Sequence, residues 1–187
     1  MIPPQPRDPR EPALGLQVSV VLTVACHLAL LVLALVDLPG PAVLPTALEP
    51  VFLVTAYIVG TVWFRRCWAN AALFTEEPLP YGPGWALAGW MVPVLSLWMR
   101  WRLLLALRRT GGAPDTDAPV HLWWALSLAA DAMLLATLLG RAASGSFLYF
   151  TVFWYAGPFT YLLIVRRITA RQVELLPPAP AAEPVAV

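Results

Sequence analysis

His27 and Asp131 are the two strongly polar side chains that the sequence places deep inside long apolar stretches. If residues 13–36 and 120–140 are helices, both side chains lie about 18 to 20 Å from the predicted cytoplasmic end of their helix. An unpaired aspartate at the centre of a membrane span costs about 2.5 to 3.5 kcal/mol, so it is expected to turn inward and find a donor. We therefore predict an intramembrane polar pair of His27 and Asp131. The alternative is that Asp131 is protonated, or bonded to a serine, a threonine or a backbone carbonyl.

A second group of candidate residues combines arginine with tryptophan near the middle of the chain. Its members are Arg100, Arg102, Arg108, Arg109, Trp98 and Trp101. Arginines beside interfacial tryptophans could bind anionic lipid headgroups, with each charge contributing about 1 kcal/mol near such a surface. The alternative is that these residues only anchor the chain and set its orientation in the membrane.

Motifs that cradle a phosphate or align a hydrolytic nucleophile are missing from the sequence, including the Walker loop, HExxH and GxSxG. Cys26 and Cys67 have no CxxC spacing and are interpreted as structural thiols. His27 and His121 are predicted at different depths and cannot share a haem. We therefore predict no catalytic residue, no cofactor and no metal. Because membrane insertion already explains arginines at helix ends, we also predict no nucleic-acid partner.

The composition indicates an integral membrane protein. Apolar residues make up 59% of the 187 residues and charged residues 12%. Globular proteins usually have about 45 to 50% apolar and about 25% charged residues. All twelve basic residues are arginine, a bias that suggests a GC-rich bacterial genome. We predict a multi-pass protein of the bacterial cytoplasmic membrane.

The apolar stretches divide the chain into two tails and one membrane domain. Proline density predicts a disordered tail over residues 1–12, and proline and alanine predict another over residues 173–187. Residues 13–172 form the predicted helical domain. Its four predicted transmembrane helices are 13–36, 50–73, 120–140 and 147–166. For the second of these helices, Thr46 with Glu49 could form a capping box, or Pro50 could occupy the first helical position.

Residues 84–109 form the least ordinary stretch, a tryptophan-rich run with a proline near its centre. Its uncharged part, Gly84 to Met99, would be about 24 Å long as a helix, which is less than the roughly 30 Å of a bilayer core. Pro93 has no N–H to donate, so a helix should kink or break there. We predict a re-entrant or interfacial helix. Pro158 in the last predicted span is expected to kink its helix in the same way.

The distribution of arginines predicts the orientation, because cytoplasmic flanks are enriched in basic residues. If the 84–109 stretch crosses the membrane, five arginines are inside and seven outside. If it re-enters, eleven are inside and only Arg141 is outside. The second arrangement fits much better. The predicted fold is therefore an all-α polytopic bundle of four transmembrane helices plus a proline-kinked re-entrant or interfacial helix, with both termini cytoplasmic.

Three blocks of residues form a recognisable pattern along the chain. They are Trp63 with Arg65, Arg66 and Asn70; Tyr81-x-Pro-Gly-Trp85 with Trp90, Pro93 and Leu97-Trp98; and Val165-Arg-Arg-Ile-Thr-Ala-Arg-Gln172. This pattern resembles the family known as domain of unknown function 4328, over roughly Pro50 to Gln172. The resemblance implies a bacterial multi-pass membrane protein and implies no particular chemistry.

Two functions are compatible with the sequence. The favoured one is an accessory or interaction protein without catalytic activity, which acts as a scaffold or contacts lipid. Its expected partners are the bilayer, anionic lipid headgroups, and either another membrane protein or further copies of the chain. The alternative is a small carrier or channel-like subunit that uses the polar site at His27 and Asp131. We favour the accessory protein, because a pathway for an ion or substrate through the membrane is normally lined by more polar residues than these two.

Overall fold

The computed structural model describes residues 5–36, 43–110, 116–140 and 146–177. This described part of the chain is helical and contains no strand. Its helices are α1 (Arg10–Leu35), α2 (Val43–Phe74), α3 (Pro83–Met91), α4 (Pro93–Arg109), α5 (Ala118–Leu138) and α6 (Ser146–Glu174). The predicted disorder of residues 1–4 and 178–187 lies outside the described residues.

Three helices in the described residues are long and apolar enough to span a membrane, namely α1, α2 and α5. Many of their large apolar side chains are exposed, as expected where lipid rather than protein covers them. The fourth predicted span, 147–166, lies in α6, and the structure does not describe the side chains at its start. That span stays a prediction.

The second helix begins earlier than the sequence predicts. It starts at Val43 rather than near residue 50, so Thr46 and Glu49 are not at its N-terminal cap and Pro50 lies inside it. A membrane helix tolerates an internal proline when neighbouring groups satisfy the freed backbone. The expected capping box and the expected proline at the first helical position are both wrong.

Helices α1 and α2 form a closely packed antiparallel hairpin. A Cβ atom at Gly15 would lie 3.2 Å from Cγ1 of Val59, and one at Gly60 would lie 3.3 Å from Cδ1 of Leu16. Small residues let helices in a membrane approach closely, and van der Waals contacts then stabilise the pair. This hairpin places residues near the end of α1 beside residues near the start of α2.

The tryptophan-rich run folds as two short helices rather than one. Helix α3 ends at Met91 and α4 begins at Pro93, with Val92 between them in an extended conformation (φ −79°, ψ 119°). Nine residues make α3 about 14 Å long, too short to cross a bilayer. Gly89 approaches α4 so closely that a Cβ there would lie 2.8 Å from Cβ of Met99. The two helices therefore fold back on each other.

The most buried part of the molecule lies where α2, α3, α4 and α6 meet. The ring of Phe64 stacks on that of Trp90, with centroids 4.9 Å apart. Trp63 is fully buried and donates its indole N–H to Oγ1 of Thr169 at 3.0 Å. Aromatic side chains contribute large buried areas and specific ring geometry to such a core. This packing joins the end of α2 to α6.

The stretch before α1 is docked, which corrects the prediction of a disordered tail for its described part. The amide of Asn70 pairs with the backbone of Arg7: Oδ1 accepts from its N–H at 2.8 Å and Nδ2 donates to its carbonyl at 2.7 Å. Nδ2 of Asn70 also donates to Gln172, whose own amide donates to the carbonyl of Cys67. The side-chain amide supplies the hydrogen-bond partners that the backbone of this extended, proline-rich segment cannot find within the segment. The N-terminal stretch, α2 and α6 are thus tied together.

Candidate functional site

His27 lies on α1 beside the first turns of α2. Its Nδ1 is 2.9 Å from Oε1 of Glu49, and both side chains are largely shielded from solvent. The edge of its ring packs against Tyr155 with centroids 5.8 Å apart. The antiparallel register of α1 and α2 produces the contact with Glu49. A histidine that donates to a carboxylate forms a charge-assisted hydrogen bond when it is protonated.

Asp131 lies on α5, on the wall of a cavity of about 330 Å³ between the helices. His27 is not among the described residues that line this cavity. The structure therefore gives His27 a partner that the sequence did not indicate, and the predicted contact between His27 and Asp131 stays a prediction. We treat the cavity as the candidate functional site.

Five helices contribute to the wall of this cavity. Most of the lining is apolar, and five side chains bring polar groups to it: Thr23, Arg100, Ser127, Asp131 and Tyr161. The hydroxyls of Thr23 and Ser127 donate to the carbonyls of Ser19 and Trp123 on their own helices. Their oxygen lone pairs remain able to accept a hydrogen bond. An apolar cavity with a few polar groups is the usual form of a small-molecule site.

Arg100, on α4, lines this cavity, although the sequence predicted it at the membrane surface. Its Nε donates to the backbone carbonyl of Trp90 at 3.3 Å, and its guanidinium lies 5.7 Å from the centre of the Trp90 ring. These contacts arise because the break at Val92 turns α4 back along α3. A cation over a tryptophan face is attracted by the ring quadrupole. Arg100 is thus held at the cavity wall by α3.

Tyr161 on α6 stands at the centre of the aromatic residues beside the cavity. Its ring packs against Trp63, Trp90 and Trp123, with the shortest centroid distance, 5.4 Å, to Trp123. Its hydroxyl is buried and has no hydrogen-bond partner within the described part of the chain. A buried hydroxyl without a partner costs about 1 to 3 kcal/mol, so a ligand or water at this position would stabilise the protein.

The other members of the predicted arginine group have protein partners. Arg108 is only 8% exposed, donates to the carbonyl of Thr116 and lies near Asp117. Arg109 is exposed and forms an ion pair of 2.9 Å with Asp117. Arg102 is exposed, and its Nη1 donates to the hydroxyl of Tyr81 at 3.4 Å. The group therefore divides into buried and exposed members.

The two tryptophans of the group also differ. Trp98 is exposed, whereas Trp101 donates its indole N–H to Nδ1 of His121 at 3.0 Å and stacks on Trp124. Trp124 in turn donates to the carbonyl of Leu97 at 2.6 Å. These contacts attach α4 to the start of α5. Trp101 thus has a packing role that its position in the sequence does not reveal.

The cavity combines an apolar lining with a few polar groups. It presents the guanidinium group of Arg100 and the carboxyl group of Asp131, together with hydroxyl groups. Among the described residues no group of three or more His, Cys, Asp and Glu side chains could hold a metal ion.

Sequence reasoning missed Glu49, Tyr161 and the inward position of Arg100. The sequence predicted a helix start near Glu49, either through a capping box of Thr46 with Glu49 or with Pro50 at the first helical position. Tyr161 lies in an uncharged run where nothing distinguishes it from a membrane-facing aromatic residue. A signal existed for Arg100, because it lies about two helical turns after Pro93 and so faces the same side as the helix break.

The comparisons with known proteins identify one family. The sequence model of the family described as Domain of unknown function (DUF4328) matches residues 42–153, more than half of the chain. The matched region includes α2, the α3–α4 pair and α5. The arginine-rich block at residues 165–172 follows the matched region. No curated protein and no solved structure matches the chain.

Proposed function

The chain belongs to the DUF4328 family, whose description names no activity, and we propose that it is a multi-pass membrane accessory protein that binds rather than catalyses. Its binding site is the cavity lined by Arg100 and Asp131. The observation that carries this proposal is the presence of both charges and the unpaired Tyr161 hydroxyl on one mainly apolar wall. The ligand class that fits is a small amphipathic molecule with a charged head.

We place the protein in the bacterial cytoplasmic membrane with four spans, α1, α2, α5 and α6. In this topology α3 and α4 enter and leave on the cytoplasmic side, and both termini are cytoplasmic. Eleven of the twelve arginines then lie inside, as the positive-inside rule favours. The hydrogen bonds of Asn70 support this topology, because they hold the N-terminal stretch and the end of α6 at one level.

The outer surface of the protein contacts lipid in this proposal. Trp98, Arg102 and Arg109 are exposed on α4, and they are the members of the arginine group best placed for anionic headgroups. Arg100 and Arg108 serve inside the protein instead. A membrane-protein partner, or further copies of the chain, could cover part of the exposed apolar surface of α1 and α2.

A small carrier is the second candidate function. It is favoured by one observation: polar groups from α1, α4, α5 and α6 converge on the cavity. Intramembrane ionisable residues usually mark a substrate or ion site. The carrier and the accessory protein would share the same cavity and differ in whether the ligand crosses the membrane.

Gly157 offers a direct test of the cavity. It lines the cavity, and a Cβ there would meet no atom within 4 Å apart from its chain neighbours, so Gly157→Leu should add side-chain volume to the cavity. Gly84→Leu is the matched control, since Gly84 is equally unobstructed and lies outside the cavity. Each protein would be purified in mild detergent and its bound small molecules identified by mass spectrometry.

We expect a stoichiometric amphipathic ligand with the wild type and the Gly84→Leu protein, and at least a tenfold loss with Gly157→Leu, which corresponds to about 1.4 kcal/mol. The same bound molecules in all three proteins would contradict the binding function. Flux of the identified ligand through liposomes that contain only this protein, blocked by Gly157→Leu, would select the carrier.

A further inference from the structure

A second cavity, of about 680 Å³, lies at the end of α2 beside the docked N-terminal stretch. Three arginines line it, Arg7, Arg65 and Arg66, together with the amides of Gln5 and Asn70. Arg65, Arg66 and Asn70 belong to the first block of the family pattern, but the binding function proposed above does not use this group of residues. The cavity is separate from the one lined by Asp131.

The three arginines of this cavity have no carboxylate partner among the described residues. The ion pairs in that part of the chain involve Arg10, His27, Arg108, Arg109 and Arg171, and none of the three. Three like charges around one space repel one another, and the repulsion is relieved when an anion enters. Guanidinium groups suit phosphate because they offer several N–H donors in one plane.

The walls of this cavity are fixed by hydrogen bonds. Arg66 donates from Nη1 to the carbonyl of Asp8 at 2.7 Å, and Asn70 holds the backbone of Arg7 on both sides. These bonds attach the stretch before α1 to α2, so that Arg7 faces the same space as the arginines of α2. Arg66 is therefore a preorganised donor, which lowers the entropic cost of binding an anion, whereas the side chains of Arg7 and Arg65 are exposed.

An apolar groove of about 420 Å³ adjoins the cavity and shares Arg65 and Ala69 with it. It runs between α2 and the start of α3, and its lining includes Phe64, Trp68 and Ala72. A basic cavity that continues into an apolar groove matches a molecule with an anionic head and a hydrocarbon chain. In the proposed topology both features lie at the level of the cytoplasmic leaflet, where anionic lipids accumulate.

We propose that this site binds the phosphate of an anionic glycerophospholipid between Arg7, Arg65 and Arg66, with one acyl chain in the groove. Phosphatidylglycerol vesicles and nanodiscs supply this chemistry, and inorganic phosphate and glycerol phosphate supply the head without the chain. Comparing these probes therefore separates a lipid site from a site for a soluble phosphate.

The test measures lipid retention by native mass spectrometry and thermal stabilisation of the full chain in detergent, with phosphatidylglycerol, phosphatidylcholine or glycerol phosphate added. Arg7→Gln with Arg65→Gln removes two charges and leaves the hydrogen bonds of Arg66 and Asn70 in place. Arg167→Gln, which removes an exposed arginine outside the cavity and the groove, is the matched control. Ala72→Trp fills the groove at an exposed position and keeps every charge.

We expect phosphatidylglycerol to be retained in preference to phosphatidylcholine, with affinity falling about fivefold for each arginine removed. Ala72→Trp should also weaken the binding of phosphatidylglycerol, whereas Arg167→Gln should not. Equal lipid retention by the double variant and the Arg167→Gln control would overturn the site. Stabilisation by glycerol phosphate as large as that by the lipid, unaffected by Ala72→Trp, would overturn its assignment to a lipid.

Discussion

The hydrogen-bond partner of His27 depends on where the neighbouring helix α2 begins. The sequence paired His27 with Asp131, because the two residues are predicted at the same depth in the membrane. Glu49 was placed in a loop, since Pro50 resembled a helix start. In the structure α2 begins at Val43, and Glu49 therefore lies on a helical turn that faces α1, 2.9 Å from the imidazole. A proline in a helix is ambiguous from sequence alone, because tertiary contacts decide whether it starts or interrupts the helix.

We predict that His27 and Glu49 are energetically coupled. The single changes His27→Leu and Glu49→Gln should each lower the thermal stability of the protein in detergent, and the double change should cost less than their sum. The expected coupling is about 0.5 to 3 kcal/mol, typical of residues in direct contact. The comparison is a second double-mutant cycle, of His27→Leu with Asp131→Asn, which measures the coupling energy of the pair predicted from the sequence. Strictly additive losses for His27 and Glu49 would show that their contact contributes nothing.

At the scale of elements, the sequence predicted the helix break in the α3–α4 pair correctly. Pro93 and the short uncharged run predicted a break, and the chain breaks at Val92. The direction in which the two helices fold was not predictable, because it depends on the close contact of Gly89 with Met99 and on the stacking of Trp90 with Phe64. The first contact spans the helix break and the second joins α3 to α2, and no local pattern encodes either of them.

Gly89→Ala should destabilise the α3–α4 pair. The added methyl group would lie 2.8 Å from Cβ of Met99, and a Cβ atom cannot move without moving the backbone of α4. Overpacking of this kind costs about 1 to 3 kcal/mol, seen as a lower midpoint of thermal unfolding. Gly84→Ala in the same helix is the control, since nothing lies within 4 Å of its Cβ position. It should be neutral or slightly stabilising. Equal effects of the two changes would contradict the close packing.

For the stretch before α1, the sequence predicted less than it did for the α3–α4 pair. Its proline density predicts a disordered, non-helical tail over residues 1–12. Residues 5–9 are indeed non-helical, but residues 10–12 form the first turn of α1. The extended part is also docked, because Asn70 and Arg66 supply hydrogen bonds from α2. Asn70 belongs to the block that carries the family resemblance, yet its role as a backbone partner required the structure. Docking of an extended segment depends on tertiary contacts that composition does not report.

At the scale of the whole molecule, composition was enough to predict a helical membrane protein. The resemblance of three residue blocks indicated the DUF4328 family, and the family match over residues 42–153 confirms it. Three membrane-length helices in the described residues agree with that class. The two cavities could not be predicted, because one combines residues from five helices and the other combines α2 with the stretch before α1. In the first cavity, the wall brings together Arg100, Asp131 and Tyr161 from three different helices, α4, α5 and α6.

The topology decides whether the two cavities lie where lipid and ligand can reach them, and it can be measured directly. Cys26 and Cys67 would be replaced by alanine, and a single cysteine introduced as Arg109→Cys or Leu139→Cys, both at exposed positions. Intact cells would then be treated with a membrane-impermeant maleimide. With α3 and α4 re-entrant, Leu139→Cys is labelled from outside, and Arg109→Cys is labelled only after the membrane is permeabilised. Labelling of Arg109→Cys from outside, with Leu139→Cys protected, would show that the tryptophan-rich run crosses the membrane.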